Sequence, residues 1–360
     1  MTTTKVKAAI ISTSFANGGA EKFAVSLSFM FEKLNVEVHN IIINDVVDYQ
    51  YTGKLLNLGK ECKSSFILFK KLKKGILVYQ YLKDNNIDII VDNRSRNNFI
   101  RDLLFKYIFK NRKVWYIVHS FNLKLYFPKS VLLANLLYKN ADKLICVSKA
   151  IENKVKQKFK FENTKTIYNS YDFSNIKLKE NVFNTEKYIL FFGRFDNKAK
   201  NFDLMLDAFS ISKVFNKGYH LRLIGDGTDL DLIQDKIKNL QIDSFVEILP
   251  FMSNPFDYVQ LAKFTILTSN YEGFPLSIIE SLALGTPVIA VECNSGLKEI
   301  IKHESNGLLV EKNNSKSFAD AMNRFVDDAV LYDFCKNNAQ KSVEHLSLEA
   351  VSKQWESILF

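Results

Sequence analysis

Short apolar runs alternate with amphipathic stretches along almost the whole chain. The run Ala8, Ala9, Ile10, Ile11 lies within a buried strand over 7–12, followed by Gly18-Gly19 and a helical pattern from Ala20 to Leu34. Further strand-like runs lie at 36–43, 87–91, 114–118 and 143–147, with helical stretches between most of them. Around 161–185 the chain turns polar, with Asn163, Asn169, Asn175, Lys177 and Glu180, and this reads as a linker. A second series follows, with strands at 188–192, 220–224, 245–249, 264–268, 287–291 and 307–310. Its helices fall at 201–214, 229–240, 254–262, 275–284 and 315–327, and 331–359 also reads as helical. Such alternation predicts α/β domains with parallel sheets and helices on both faces. Ligands in such sheets bind beyond the carboxyl ends of the strands, so the loops leaving strands are where chemistry is expected.

A length of 360 residues suits two domains rather than one core. The composition, 47% hydrophobic and 24% charged, is that of a globular protein. No apolar run approaches the ~18–20 residues that cross a bilayer. The opening Met-Thr-Thr-Thr-Lys leads straight into the first strand, without the apolar stretch of a signal peptide. Cys62, Cys146, Cys293 and Cys335 are far apart and match no metal-ligand spacing, which suits reduced thiols. The expected location is cytoplasmic, peripheral on the inner face of the cytoplasmic membrane. The net charge of +10 is unevenly divided. Residues 1–170 carry 29 Lys and Arg against 13 Asp and Glu, whereas residues 171–360 carry 20 against 26. A basic first half predicts an anionic partner there.

Three post-strand loops in the second half carry the chemistry. In Gly193-Arg194-Phe195-Asp196-Asn197-Lys198-Ala199-Lys200-Asn201, cations follow a buried strand and suit a diphosphate. In Asn270-Tyr271-Glu272-Gly273-Phe274-Pro275-Leu276, followed by Glu280, a carboxylate sits in the loop and a second lies further along the helix. Gly273 permits close backbone approach, and Pro275 suits a first helical turn whose free N–H groups favour phosphate. Paired carboxylates of this kind accept hydrogen bonds from sugar hydroxyls. Gly225-Asp226-Gly227 is neither a Walker A loop nor a complete Gly-x-Gly-x-x-Gly fingerprint. Asp229-Leu230-Asp231 reads as helix N-terminal acids rather than a metal site. In the first half, Gly18-Gly19-Ala20-Glu21, Asn93-Arg94-Ser95-Arg96 and His119 all follow strands, and Asn93, Arg94 and His119 are candidate acceptor-side contacts.

These pieces together resemble glycosyltransferase family 4, retaining enzymes of the GT-B fold, over nearly the whole chain. The residues that carry the resemblance are GGAEKF, VSKAI (147–151), IYNSYD (167–172), GRFDNKAKN (193–201) and GDG (225–227). NYEGFPLSIIESLALGTPVIA (270–290), SGLKEII and NGLLV complete it. The resemblance implies two facing Rossmann-like domains with a cleft between them: an acceptor-side domain over 1–165 and a donor domain over 166–345. A last helix over 346–360 is expected to cross back to the first domain. It also implies that Arg194 and Lys200 clamp the donor diphosphate, Glu280 holds the ribose, and Glu272 lies near the donor sugar. Amides at Gly273, Phe274 and Leu276 would touch sugar and phosphate, Gly19 would approach the diphosphate, and His119 would face the transferred sugar. No metal or other cofactor is implied; the donor is a nucleotide-diphosphate sugar, expected to be UDP-linked. Asn201 stands where many members have Gly, and Leu297 where related enzymes often have Pro.

The resemblance makes the chain a hexosyltransferase acting on a glycan or lipid-linked glycan in cell-surface polysaccharide synthesis. The rivals are a sugar-nucleotide epimerase on the same scaffold and a basic nucleic-acid-binding protein. The second lacks a helix-turn-helix, zinc or RNA-binding signature. An anionic membrane is expected to meet two segments. Lys60–Lys74 sets Lys60, Lys63, Lys70, Lys71, Lys73 and Lys74 beside Phe66, Ile67, Leu68 and Phe69. Arg94–Lys113 interleaves seven cations with Phe99, Leu103, Leu104, Phe105, Tyr107, Ile108 and Phe109. The competing reading packs these apolar residues onto the first sheet.

Overall fold

The apolar runs become parallel strands in the computed structural model, which describes residues 5–16, 18–62, 67–172, 186–293 and 296–360. The first sheet holds β1 (Lys7–Ser12), β2 (Glu37–Ile42), β3 (Lys54–Asn57), β4 (Ile89–Asp92), β5 (Lys113–Val118), β6 (Lys143–Cys146) and β7 (Thr164–Thr166). Their order is β3-β2-β1-β4-β5-β6-β7. The second holds β8 (Lys187–Phe192), β9 (Tyr219–Ile224), β10 (Val246–Leu249), β11 (Thr265–Leu267), β12 (Val288–Val291) and β13 (Gly307–Val310). Their order is β10-β9-β8-β11-β12-β13. Both sheets therefore reverse direction of strand addition beside their first strand, between β1 and β4 and between β8 and β11. That reversal opens a crevice at the carboxyl edge.

The central strands are buried on both faces, which is why they read as unbroken apolar runs. The edge strands β3 and β7 were not anticipated; β7 falls inside the polar stretch read as a linker. Both are short and only partly buried, so neither shows the apolar run of a central strand. Helix ends follow local chemistry. Asn98, Ser148 and Asn314 cap helices through side-chain oxygens. Asn35, Asn86 and Asn111 take left-handed backbone just beyond the helices Gly19–Lys33, Ile67–Asp84 and Phe99–Ile108.

The chain forms two compact units, residues 1–170 with 348–360, and residues 171–347. The stretch over 331–359, which read as helical, forms Ala329–Ser342, a short 3-10 turn and Leu348–Leu359. The last of these packs in the first unit. Its buried Leu348, Val351, Trp355 and Leu359 form one stripe, and Trp355 lies among Phe23, Phe31 and Trp115. All four cysteines are buried, and none is joined in a disulfide.

Candidate functional site

In the second unit, the loops leaving β8 and β11 lie on either side of the crevice and are stitched together. Thr268 Oγ1 donates to the carbonyls of Lys200 (2.8 Å) and Asn201 (3.1 Å). The Asn270 amide donates to Ala199 O at 2.8 Å, and its side chain to Lys198 O at 3.1 Å. Lys200 is thereby fixed in place, and its Nζ donates to Glu272 Oε1 at 2.6 Å. Ser269 Oγ donates to the same oxygen at 2.6 Å. Both members of this ion pair are largely buried. Arg194 is instead exposed on the same β8 loop, with Nη2 3.6 Å from Asp196 Oδ2.

Asn201 explains itself as a departure from glycine. Its φ is 54° and ψ 60°, the left-handed region that Asn tolerates next best. Its side chain also caps the Phe202–Ser212 helix by accepting from Leu204 N. The two glycines of Gly225-Asp226-Gly227 serve close backbone approach. A Cβ on Gly225 would sit 1.9 Å from Gly193 O, and one on Gly227 2.2 Å from Phe195 O. They let the β9 loop lie directly under the Arg194 loop, where Phe195 N donates to Asp226 O. Asp229 accepts from Asn197 N at 2.6 Å, so its carboxylate caps that turn. Among the described residues no group of three His, Cys, Asp or Glu side chains is placed to hold a metal ion.

Pro275 precedes the Leu276–Ala283 helix as its cap, one position earlier than its expected place in the first turn. The amides from Leu276 onward open that helix, where intrahelical acceptors are lacking and the dipole favours an anion. Gly273 and Phe274 are buried in the turn before it, and Gly273 O accepts from Gly296 N. Glu280 is buried at 5% exposure, so it is not a solvated helix residue. Leu297 opens the Leu297–Ile300 helix, a first position at which Pro is also at home.

In the first unit, Gly19 is exposed at the start of its helix, beyond β1. Asn93, just past β4, donates from Nδ2 to Ser12 Oγ (3.3 Å) and Ala20 O (2.8 Å). Both donors being engaged, its Oδ1 faces His119 Nε2 at 2.5 Å and accepts the imidazole proton. That assigns the lone pair of His119 to Nδ1. Phe23 meets the imidazole edge-on at 4.9 Å. Burial pushes the Tyr126 phenol up to about 12, opposed in part by the nearby Arg96 and the His119 backbone. Phe23 and Tyr126 were missed as site residues. Only Phe23 had a signal, its place in GGAEKF.

Arg94 is not aimed at a ligand. It forms a bidentate pair with Asp92, Nε to Oδ1 and Nη2 to Oδ2 at 2.8 Å each, with both side chains buried. Its guanidinium also stacks 3.9 Å above Phe105. Arg96 is buried too, donating to the carbonyls of Asp92, Arg94 and Ile117.

Burial, with Arg96 nearby, pushes His119 down to about 3 from 6.5. The imidazole is therefore neutral through the physiological range. A depressed folded value means that the unfolded chain takes up its proton first. The contribution of His119 to stability is then complete above pH 6.5 and is lost as pH falls toward 3. Thermal unfolding followed from pH 7 to 4 should show a steeper loss for the parent than for His119→Gln. Parallel curves would rule out a desolvated neutral imidazole.

The profile of the family described as "Glycosyl transferases group 1" matches residues 172–342. The N-acetylgalactosamine-N,N'-diacetylbacillosaminyl-diphospho-undecaprenol 4-alpha-N-acetylgalactosaminyltransferase of Campylobacter jejuni is 30% identical over 351 residues. That alignment covers 93% of this chain and 94% of the relative. The amylovoran biosynthesis glycosyltransferase AmsD of Erwinia amylovora is 23% identical, covering 95% and 96%. Among solved structures, Anabaena Alr3699/HepE in complex with UDP and glucose superposes with a TM-score of 0.80 at 18% identity, covering 98% and 99%. TarM of S. aureus with UDP gives 0.78 at 16%, covering 98% and 99%. At such identities the likeness is one of fold, and the fold is GT-B.

Proposed function

Because the chain belongs to the group 1 glycosyl transferases, we propose that it moves a hexose-type sugar from a UDP-sugar to a lipid-linked glycan, with retention at the anomeric carbon. The pathway is cell-surface polysaccharide assembly. One observation carries the reading. Lys200 and Glu272 are joined by an ion pair at the crevice of the second sheet, just before the Leu276–Ala283 helix, with Arg194 on the same loop as Lys200.

The chemistry asked of this unit is stabilisation of the leaving diphosphate. The C1–O bond to phosphate breaks, its electron pair leaves on the diphosphate, the acceptor oxygen bonds to C1, and the acceptor's hydroxyl proton passes to the departing diphosphate. Arg194, Lys200 and the helix amides face the charge that develops. A single preorganised donor of this kind is worth about 3–4 kcal/mol where it has been measured. Glu272 and Glu280 accept from hydroxyls of the donor, the hexose and the ribose respectively. Asn93 and His119 serve the acceptor side; the neutral His119 Nδ1 accepts a hydrogen bond from a sugar hydroxyl and stays uncharged. Arg94 supports Asn93 through Asp92 rather than touching the acceptor.

The acceptor class follows the diphospho-undecaprenol named for the Campylobacter relative, and that name makes N-acetylgalactosamine the first sugar to test. UDP follows the nucleotide held in HepE and TarM. A thermal-shift screen of UDP-, GDP- and ADP-sugars, followed by transfer to a polyprenyl-diphosphate glycan, tests the reading. UDP-sugars should stabilise the protein, and transfer should continue in excess EDTA, since the cations replace a divalent ion. Activity lost in EDTA and restored by Mn²⁺ would overturn the metal-free mechanism. Conversion of the UDP-sugar to its epimer without acceptor would replace transfer by epimerisation.

A further inference from the structure

We infer that the first unit docks on an anionic bilayer through one face built by the Ile67–Asp84, Phe99–Ile108 and Val131–Tyr138 helices, inserting apolar side chains between flanking cations. The inference deepens the lipid-linked reading above, but it rests on its own surface. The three helices pack in series, the first on the second and the second on the third. No helix among the described residues is long and apolar enough to cross a membrane, so the contact is interfacial.

The Phe99–Ile108 helix is apolar on two sides. Phe105 and Ile108 enter the core, as the packing alternative expected. Ile100, Leu103, Leu104 and Tyr107, spaced i, i+3, i+4, i+7, face solvent, with Ile100 79% and Tyr107 72% exposed. A complete helical stripe pointing at water is the pattern of a surface that something apolar covers. Phe69, Leu72, Ile76 and Tyr79 form a second exposed stripe on the neighbouring helix. The third helix was not foreseen as part of this surface, yet Val131, Leu132, Leu133 and Leu136 are exposed on it, Leu132 at 80%.

Charge selects the occupant. Lys71, Lys73, Lys110, Lys124 and Lys129 are exposed on or beside these helices. The helices' own carboxylates are Asp84, at the end of the first, and Asp102, which is buried against Arg101. A second copy of the chain would bring the same cations face to face across a symmetric contact. An anionic headgroup layer complements them and admits the apolar stripes to interfacial depth. The lysine cluster itself contributes less than its sequence suggests. Lys74 Nζ donates to Ile43 O at 2.5 Å and Lys73 Nζ to Glu61 O at 3.3 Å, so Lys74 anchors its helix to the domain. Lys63 and Phe66, and the side chains of Ile67 and Leu68, lie outside the described residues.

Co-sedimentation with vesicles of phosphatidylcholine, with and without phosphatidylglycerol, tests the face. The parent should bind only the anionic vesicles, and part of that binding should survive high salt, because insertion is not screened. The triple variant Ile100→Ser, Leu132→Ser, Leu136→Ser should lose about tenfold or more in partitioning. The control Val330→Ser, Phe334→Ser removes equally exposed apolar groups from the second unit and should bind like the parent. No binding by the parent, an unaffected triple variant, or an equal loss in the control would each overturn the docking face. So would a parent dimer that the triple variant dissociates without any vesicle binding, since a second copy would then be the occupant. UDP-induced stabilisation, read on the same proteins without lipid, reports separately on the donor site.

Discussion

Lys200→Ala should leave a folded protein that binds UDP roughly 10- to 150-fold more weakly, the range expected for one lost charge-assisted hydrogen bond. Turnover should fall further, by about 10²–10³, if the ammonium faces charge that grows on the leaving group. The substitution removes more than a cation. Glu272 Oε1 would keep Ser269 Oγ but lose the ammonium 2.6 Å away, leaving a largely buried carboxylate without its counter-ion. Arg194→Ala should act in the same direction with little effect on stability, because its guanidinium is exposed and only 3.6 Å from Asp196. Calorimetric titration with UDP and steady-state kinetics separate binding from turnover. Parent-like donor affinity in both variants would refute the clamp.

Trp355→Ala should destabilise the first unit by about 3–5 kcal/mol, the usual range for removing a large buried aromatic. That corresponds to a fall of roughly 6–20 °C in Tm for a domain of this size. Trp355 is fully buried, with ring centroids 5.6 Å from Phe31, 5.9 Å from Trp115 and 6.1 Å from Phe23. Phe23 in turn lies against His119, so the cavity would loosen the acceptor-side group as well as the core. Truncation after Ser347 removes the whole buried stripe of this helix and should cost at least as much. UDP binding below the transition should persist, because Arg194, Lys200, Glu272 and Glu280 belong to the other unit. A change of only 2 °C in the Tm of Trp355→Ala would show that the helix is not part of the first core.

The alternation of buried strands and amphipathic helices, the loops bearing Arg194, Lys200 and Glu272, and the helix bearing Glu280 were all legible in the amino-acid order. Each is local: a doubly buried strand must be apolar throughout, and a ligand loop follows its strand directly. Tertiary packing decided the rest. Arg94 and Lys200 both follow strands in basic loops, yet one is sealed against Asp92 and the other stands at the crevice beside Glu272. Which carboxylate a cation meets depends on chain brought in from elsewhere in the fold. The edge strands β3 and β7 escaped because half-exposed edges carry no apolar run. On the Phe99–Ile108 helix, Phe105 and Tyr107 are both aromatic; only the packed domain turned the first inward and left the second in water. Periodicity marks helical faces, but when two faces are apolar, the neighbouring elements determine which of them is buried.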